Sequence, residues 1–290
     1  MTKLIPIVLA GGAGRRLYPI SSALLPKQFL QNPGEDCLFQ STMKTVSSLS
    51  EDVIVVSSIR YRNNILMMLS NEQRESIKFV FEPCMRNSLA ASLLGAMLAA
   101  QKYEDPLVLV TPCDLIYEDP GQLKLAINEV LRKFNDNSVT FLTDLKSTHN
   151  PEFFGAFICR ASKLLSVCSQ YNESNFAKIM TSLKHSLVRQ NEISINYEDY
   201  SSVVDCELSK DFFTGKFNVN NYLLGKSVLD INNIDDFFSH HQENGAVPLN
   251  MSLKNVDIKS FNRLSPVYYI SEGEQGLFLC RKAEENIEVA

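Results

Sequence analysis

The chain has 290 residues, 45% of them hydrophobic and 21% charged, with a formal net charge of −5. That length can bury a substantial core as one large domain or two small ones. Mild acidity without a basic block excludes the electrostatic footprint of a nucleic-acid binder, so any anionic ligand must be held by a few placed cations.

Short apolar runs alternate with amphipathic stretches over the first half. LIPIVLA (4–10), DVIVVSS (52–58), IKFVFEP (77–83), DPLVLVTP (105–112) and SVTFLTD (138–144) have strand length and are apolar nearly throughout. Strands covered on both faces read this way. Between them lie helix-like stretches at 37–49, 61–72, 87–103 and 120–134. The alternation predicts parallel βαβ units with right-handed crossovers, hence an α/β fold with a doubly wound, mostly parallel sheet. Further on, 153–167 reads as a strand entering a helix and 175–187 as another helix, while 209–233 has no clear period. The stretch 265–282 reads as two strands around a Glu-Gly turn. The expected division is an α/β domain over 1–240 and a short β-rich segment over 241–290.

The seven cysteines are scattered and form no C-x-x-C pair, which argues for reduced thiols rather than a zinc site or a disulfide scaffold. No run of eighteen apolar residues suggests a membrane span, and the apolar run near the start is too short for a signal-peptide core. The chain reads as cytoplasmic, with neither nucleic acid nor membrane as a partner.

LAGGAGRRLYPISSALLPKQF (9–29) follows the first predicted strand. Glycines admit backbone N–H groups close to an anion, and the fixed cations beyond them suit phosphate. A Walker loop needs Gly-Lys-Ser/Thr at its end, but Gly14 precedes Arg15 and Arg16. The dinucleotide fingerprint needs a third glycine where Leu17 stands. A purely structural Gly-rich turn is the bland alternative, and the basic tail counts against it.

The stretch instead resembles, along its whole length, the signature of sugar-1-phosphate nucleotidyltransferases, most closely mannose-1-phosphate guanylyltransferases. Gly11, Gly12, Gly14, Arg16, Leu17, Pro19, Ser21 and Pro26 to Phe29 match, while Ala13, Arg15 and Tyr18 are substitutions. EPCMRNSLAAS (82–92) resembles the family's segment near nucleobase and ribose through Glu82, Pro83, Arg86 and Asn87, with Met85 replacing a glycine. LVLVTPCDLIYED (107–119) places Asp114 on the family's magnesium-binding aspartate, with Leu115 at a family histidine. SVLDINNIDDFF (227–238) places Asp230 on the second metal aspartate, although the family's tryptophans are missing there and the chain contains no Trp. Asp205 or Asn196 echo a motif upstream of it.

The resemblance implies Mg²⁺ as cofactor, and GTP or another nucleoside triphosphate with a sugar 1-phosphate as partners. Arg16 would grip the leaving phosphates and Lys27 the α-phosphate, both from an exposed loop. Leu9, Ala10, Gly11, Gly12, Gly14, Glu82, Arg86 and Asn87 would hold the nucleotide, Gly155 the sugar, and Asp114 with Asp230 the metal. The implied reaction is guanylyl transfer from GTP to a sugar 1-phosphate such as mannose 1-phosphate, releasing pyrophosphate. NPEFFGAFICRAS (150–162) fuses two family elements without the Glu-Lys-Pro segment between them. The rival reading is therefore a catalytically impaired relative that binds nucleotide, or nucleotide sugar, as a regulatory or assembly partner. A monomer and a homodimer both stay open.

Overall fold

Strands that carry apolar side chains on both faces need a layer on each side, and the chain supplies two. The computed structural model describes residues 3–12, 17, 21–30, 36–117, 120–144, 152–224, 228–230, 234–241, 246–249, 268–273 and 276–281. Contacts divide the chain into two compact units, residues 1–12 with 40–229, and residues 13–39 with 230–290.

The elements begin with β1 (Leu4–Leu9), α1 (Leu38–Ser47), β2 (Val53–Ser58), α2 (Arg62–Met67), α3 (Asn71–Ser76), β3 (Ile77–Glu82) and α4 (Asn87–Lys102). They continue with β4 (Leu107–Pro112), β5 (Leu115–Tyr117), α5 (Pro120–Arg132), β6 (Ser138–Asp144), β7 (Glu152–Arg160), α6 (Ala161–Tyr171) and α7 (Glu173–Lys184). Then come β8 (Leu187–Arg189), β9 (Glu192–Ser194), α8 (Tyr197–Tyr200), α9 (Lys210–Phe213), β10 (Asn218–Leu223) and β11 (Val228–Asp230). The last are α10 (Ile234–His241), β12 (Ala246–Leu249), β13 (Tyr268–Gly273) and β14 (Gly276–Arg281).

The main sheet of the first unit runs β10-β6-β7-β4-β1-β2-β3-β9-β8, and β5 pairs separately with β11. Strands β4, β1, β2 and β3 are parallel neighbours. Alternate side chains of β4 enter different cores: Val108 and Val110 join Ile5 and Ile7 under α4, α6 and α7, whereas Leu107 and Leu109 join Leu4 under α5. Each such buried aliphatic side chain contributes about 1.5–3 kcal/mol. The doubly wound α/β reading holds for this unit.

Three details differ from the sequence reading. The single helix expected over 61–72 is two, because Ser70 caps α3 in a capping box with Gln73. β7 runs antiparallel to both β4 and β6, inverting the sheet where the strict alternation ends. The β8–β9 hairpin, unforeseen, extends the sheet beyond β3, with β9 parallel to it.

In the second unit, β12, β14 and β13 form an antiparallel sheet, and the pairing of Gly273 with Gly276 closes the expected hairpin. Tyr268 packs on Phe238 with ring centroids 5.2 Å apart and donates its hydroxyl hydrogen to Asp235. Among the described residues, no helix is long and apolar enough to cross a membrane.

Candidate active site

Parallel strands bring their carboxyl ends to one side, and successive strands are added on one side of β1 as β2 and β3 and then on its other side as β4. Ligands of open α/β sheets bind at such a switch point. Ala10 is pinned there from several directions. Its N–H donates to Val56 O at 2.8 Å, and Ser57 Oγ donates to Ala10 O at 2.7 Å. Cys113 N donates to Leu9 O at 3.2 Å, tying the end of β4 to the end of β1. The chain then leaves the sheet through Gly11 and Gly12. A β-carbon at Gly11 would stand 3.5 Å from Glu82 Oε2, whereas Gly12 faces open space. Leu9, Ala10, Gly11 and Gly12 therefore sit together at the switch point, as a phosphate-wrapping turn requires.

Glu82 ends β3 almost fully buried, at 3% exposure, and accepts a hydrogen bond from the Tyr200 hydroxyl. Burial pushes its carboxyl up to about 7, and the Tyr200 hydrogen bond works in the opposite direction. Arg86 donates to Ser201 O and to Asp205 Oδ1, the latter at 3.3 Å. Asn87, the first residue of α4, has φ +63° and an exposed side chain. Asn tolerates this left-handed conformation better than most residues.

Asp114 follows β4 in a turn, half-buried, two residues beyond the Pro112 that pairs with Leu9. Its carboxylate is a hard oxygen donor, and Mg²⁺ is usually held by one or two carboxylates plus substrate phosphates. Among the described residues, no three His, Cys, Asp or Glu side chains group to hold a metal. Gly155 sits in β7 with φ +87°, and a β-carbon there would touch Pro112 Cγ at 3.4 Å. Glycine is thus explained by the backbone where β7 meets the end of β4.

Gly14 and Arg16 lie outside the described residues, as does the side chain of Asp230, which ends β11. Lys27 belongs to the second unit and corrects one expectation. It was expected on an exposed loop, but it begins a 3₁₀ turn, Lys27–Phe29, and is only 8% exposed. Phe29 anchors that turn by packing edge-on to Phe39, with centroids 5.7 Å apart.

Sequence reasoning missed Ser57, Tyr200 and Ser201. Each acts through a partner far away in sequence, 47 residues for Ser57 and 118 for Tyr200. The Asn-Tyr-Glu-Asp-Tyr stretch was visible as an echo of a family motif, but nothing local marks its last tyrosine as a carboxylate partner.

Comparison with known proteins identifies the family of the chain. Residues 5–196 match the family model described as nucleotidyl transferase. The alginate biosynthesis protein AlgA of Pseudomonas fluorescens is 37% identical over 125 residues, covering 43% of this chain and 26% of that protein. Mannose-1-phosphate guanylyltransferase 2 of Escherichia coli O157:H7 is 37% identical over 114 residues, covering 38% and 24%. The matched stretch thus spans about a quarter of the length of these relatives. Among solved structures, that of a mannose-1-phosphate geranyltransferase from Thermus thermophilus superposes with a TM-score of 0.67 at 16% identity, covering 84% of this chain and 80% of that one. This last likeness speaks for the fold. With a pinned glycine turn at the switch point of a doubly wound sheet, and a family model matched from β1 to just beyond β9, the chain belongs to the nucleotidyl transferase family.

Proposed function

We propose that this protein transfers a nucleotidyl group, guanylyl from GTP, to a sugar 1-phosphate such as mannose 1-phosphate, with release of pyrophosphate. The observation that carries the reading is the gathering of Gly11, Gly12, Glu82, Asn87 and Asp114 at the carboxyl ends of β1, β3 and β4. Backbone N–H groups of the glycine turn cradle the triphosphate, and Lys27 with Arg16 supplies the cations that lower the cost of charge on the transferring phosphorus. Guanine carries adjacent N–H donors on its pairing edge, and the carboxylate of Glu82 is an acceptor-only group that suits them. Asp114 would hold Mg²⁺, with Asp230 as the second carboxylate that the resemblance implies, and the bound ion would neutralise and orient phosphate oxygens. The relatives' names support mannose 1-phosphate as acceptor.

A second reading is a nucleotide-binding relative with impaired catalysis, favoured by the stretch at β7, where Phe153 packs on Phe141 with centroids 4.4 Å apart. This phenylalanine stands where the resemblance expects an asparagine. Pyrophosphate release measured across four nucleoside triphosphates and several sugar phosphates tests the first reading. Turnover with GTP and mannose 1-phosphate is expected. A rise in melting temperature with GTP but no turnover with any pair selects the second. No response to any triphosphate defeats both.

A further inference from the structure

The turn from β3 into α4 is held along its length by residues 200–208. Besides the Tyr200–Glu82 and Arg86–Ser201 hydrogen bonds, Leu89 N donates to Cys206 O at 3.1 Å and Leu208 N donates to Ser88 Oγ at 2.8 Å. Tyr200 is 0% exposed, so its hydroxyl has given up water for one carboxyl partner. A buried hydroxyl without such a partner would be costly, and so would an ionised carboxylate without a donor.

We propose that Tyr200 is a positioning residue of the nucleotide site, whose hydroxyl fixes the orientation of the Glu82 carboxylate and favours its ionised, hydrogen-bond-accepting form. The inference rests on the reading of Glu82 as the acceptor for the base. Burial and the neighbouring Glu82 charge push the Tyr200 hydroxyl far above its ordinary range, so it stays a donor throughout the accessible pH range. The titratable groups that couple to Glu82 are Tyr200 from α8 and Cys84 from the turn after β3, with Arg86 and Asp205 next beyond them, against Cys84. From β1 and β2 the neighbours are Gly11 and Ser58, neither of which titrates. Of these groups, Tyr200 is the one that hydrogen-bonds the carboxyl, and removing its hydroxyl leaves burial unopposed.

The test compares wild type, Tyr200→Phe and Glu82→Gln by two readouts. The first is the infrared carboxyl stretch of Glu82 in the nucleotide-free protein as a function of pH, assigned by its loss in Glu82→Gln. The second is GTP affinity from pH 6 to pH 9. In Tyr200→Phe the carboxyl should stay protonated to higher pH. Affinity at pH 7 should fall about fivefold and return toward wild type at pH 9, as expected when a carboxyl that is half ionised near pH 7 needs about tenfold fewer protons to ionise. Glu82→Gln, which keeps an acceptor for Tyr200, should bind GTP weakly and show only the pH dependence that GTP's own phosphate brings to every variant. It also decides the role of the carboxylate if Tyr200→Phe does not fold. An unmoved Glu82 titration in Tyr200→Phe overturns the proposal, as does an affinity loss equal at every pH, or a Glu82→Gln protein that binds like wild type. Absence of GTP binding by wild type would instead defeat the functional reading, and the infrared titration keeps the two failures apart.

Discussion

Gly95 of α4 lies against Ile7 of β1 so closely that a β-carbon at position 95 would stand 2.5 Å from Ile7 Cγ2. Ile7 is fully buried and β-branched, so it has little freedom to yield. Alanine in place of glycine gains about 1 kcal/mol of helix propensity but overpacks the interface by about 1–3 kcal/mol. Gly95→Ala is therefore expected to lower stability in urea unfolding, and because β1 carries the glycine turn, to weaken GTP binding as well. A stabilised variant would mean that the helix shifts freely over the sheet.

Lys27 is buried, so its removal has two consequences. Lys27→Ala should lower turnover about a hundredfold or more through the lost cation, and should also lower the melting temperature through the lost packing of the stem. Lys27→Met keeps most of the stem and lacks the charge. It is expected to melt near wild type while remaining as slow as the alanine variant, and full turnover in Lys27→Met would remove the lysine from the chemistry.

The metal reading makes Asp114 and Asp230 one unit. Asp114→Asn and Asp230→Asn should each slow pyrophosphate release about a hundredfold or more and raise the Mg²⁺ concentration needed for half-maximal rate. The double variant should be little worse than either single one, since groups that act together are not additive. Multiplicative losses, or a silent Asp230→Asn, would take Asp230 out of the metal site.

Asp52 gathers the opposite ends of the same elements. It meets Lys102 Nζ at 2.5 Å and Lys3 Nζ at 3.3 Å and accepts from the Tyr103 hydroxyl. Burial acts to raise its pKa, but the hydrogen bonds from Lys102, Tyr103 and Lys3 outweigh it and hold the carboxyl at about 2, below the ordinary 3.8. A depressed carboxylate pKa adds stability that is present above the unfolded value and is lost as pH falls through the folded one. Asp52→Asn should thus cost about 2 kcal/mol at pH 7, with the difference from wild type shrinking between pH 4 and pH 2. A difference independent of pH would assign the cost to packing.

The strands β1 to β4 and β6 were legible because burial on both faces leaves nearly unbroken apolar runs, and the helices between them because one face must stay polar. β7 was visible as a strand, yet its antiparallel direction depends on which neighbour it meets, which Phe157 and Cys159 do not encode locally. The β8–β9 hairpin was illegible for a different reason. All three residues of β8 are exposed, and its turn uses Gln190 at φ +53° in place of a glycine. At the proposed site, Gly11, Glu82, Arg86 and Asp114 were singled out because the family signature spans contiguous stretches. The burial of Lys27 and the Tyr200–Glu82 bond arise from tertiary packing, which a short window of sequence does not contain.

The placing of β1 between β2 and β4 also governs how the molecule assembles. Val8 pairs with Val55 on one side and with Thr111 on the other. Its two neighbours thus lie roughly fifty and a hundred residues further along the chain, so large loops must close before β1 is enclosed, and folding dominated by such distant pairings is slow. The glycine turn is therefore braced on both sides only once two distant segments have returned to β1.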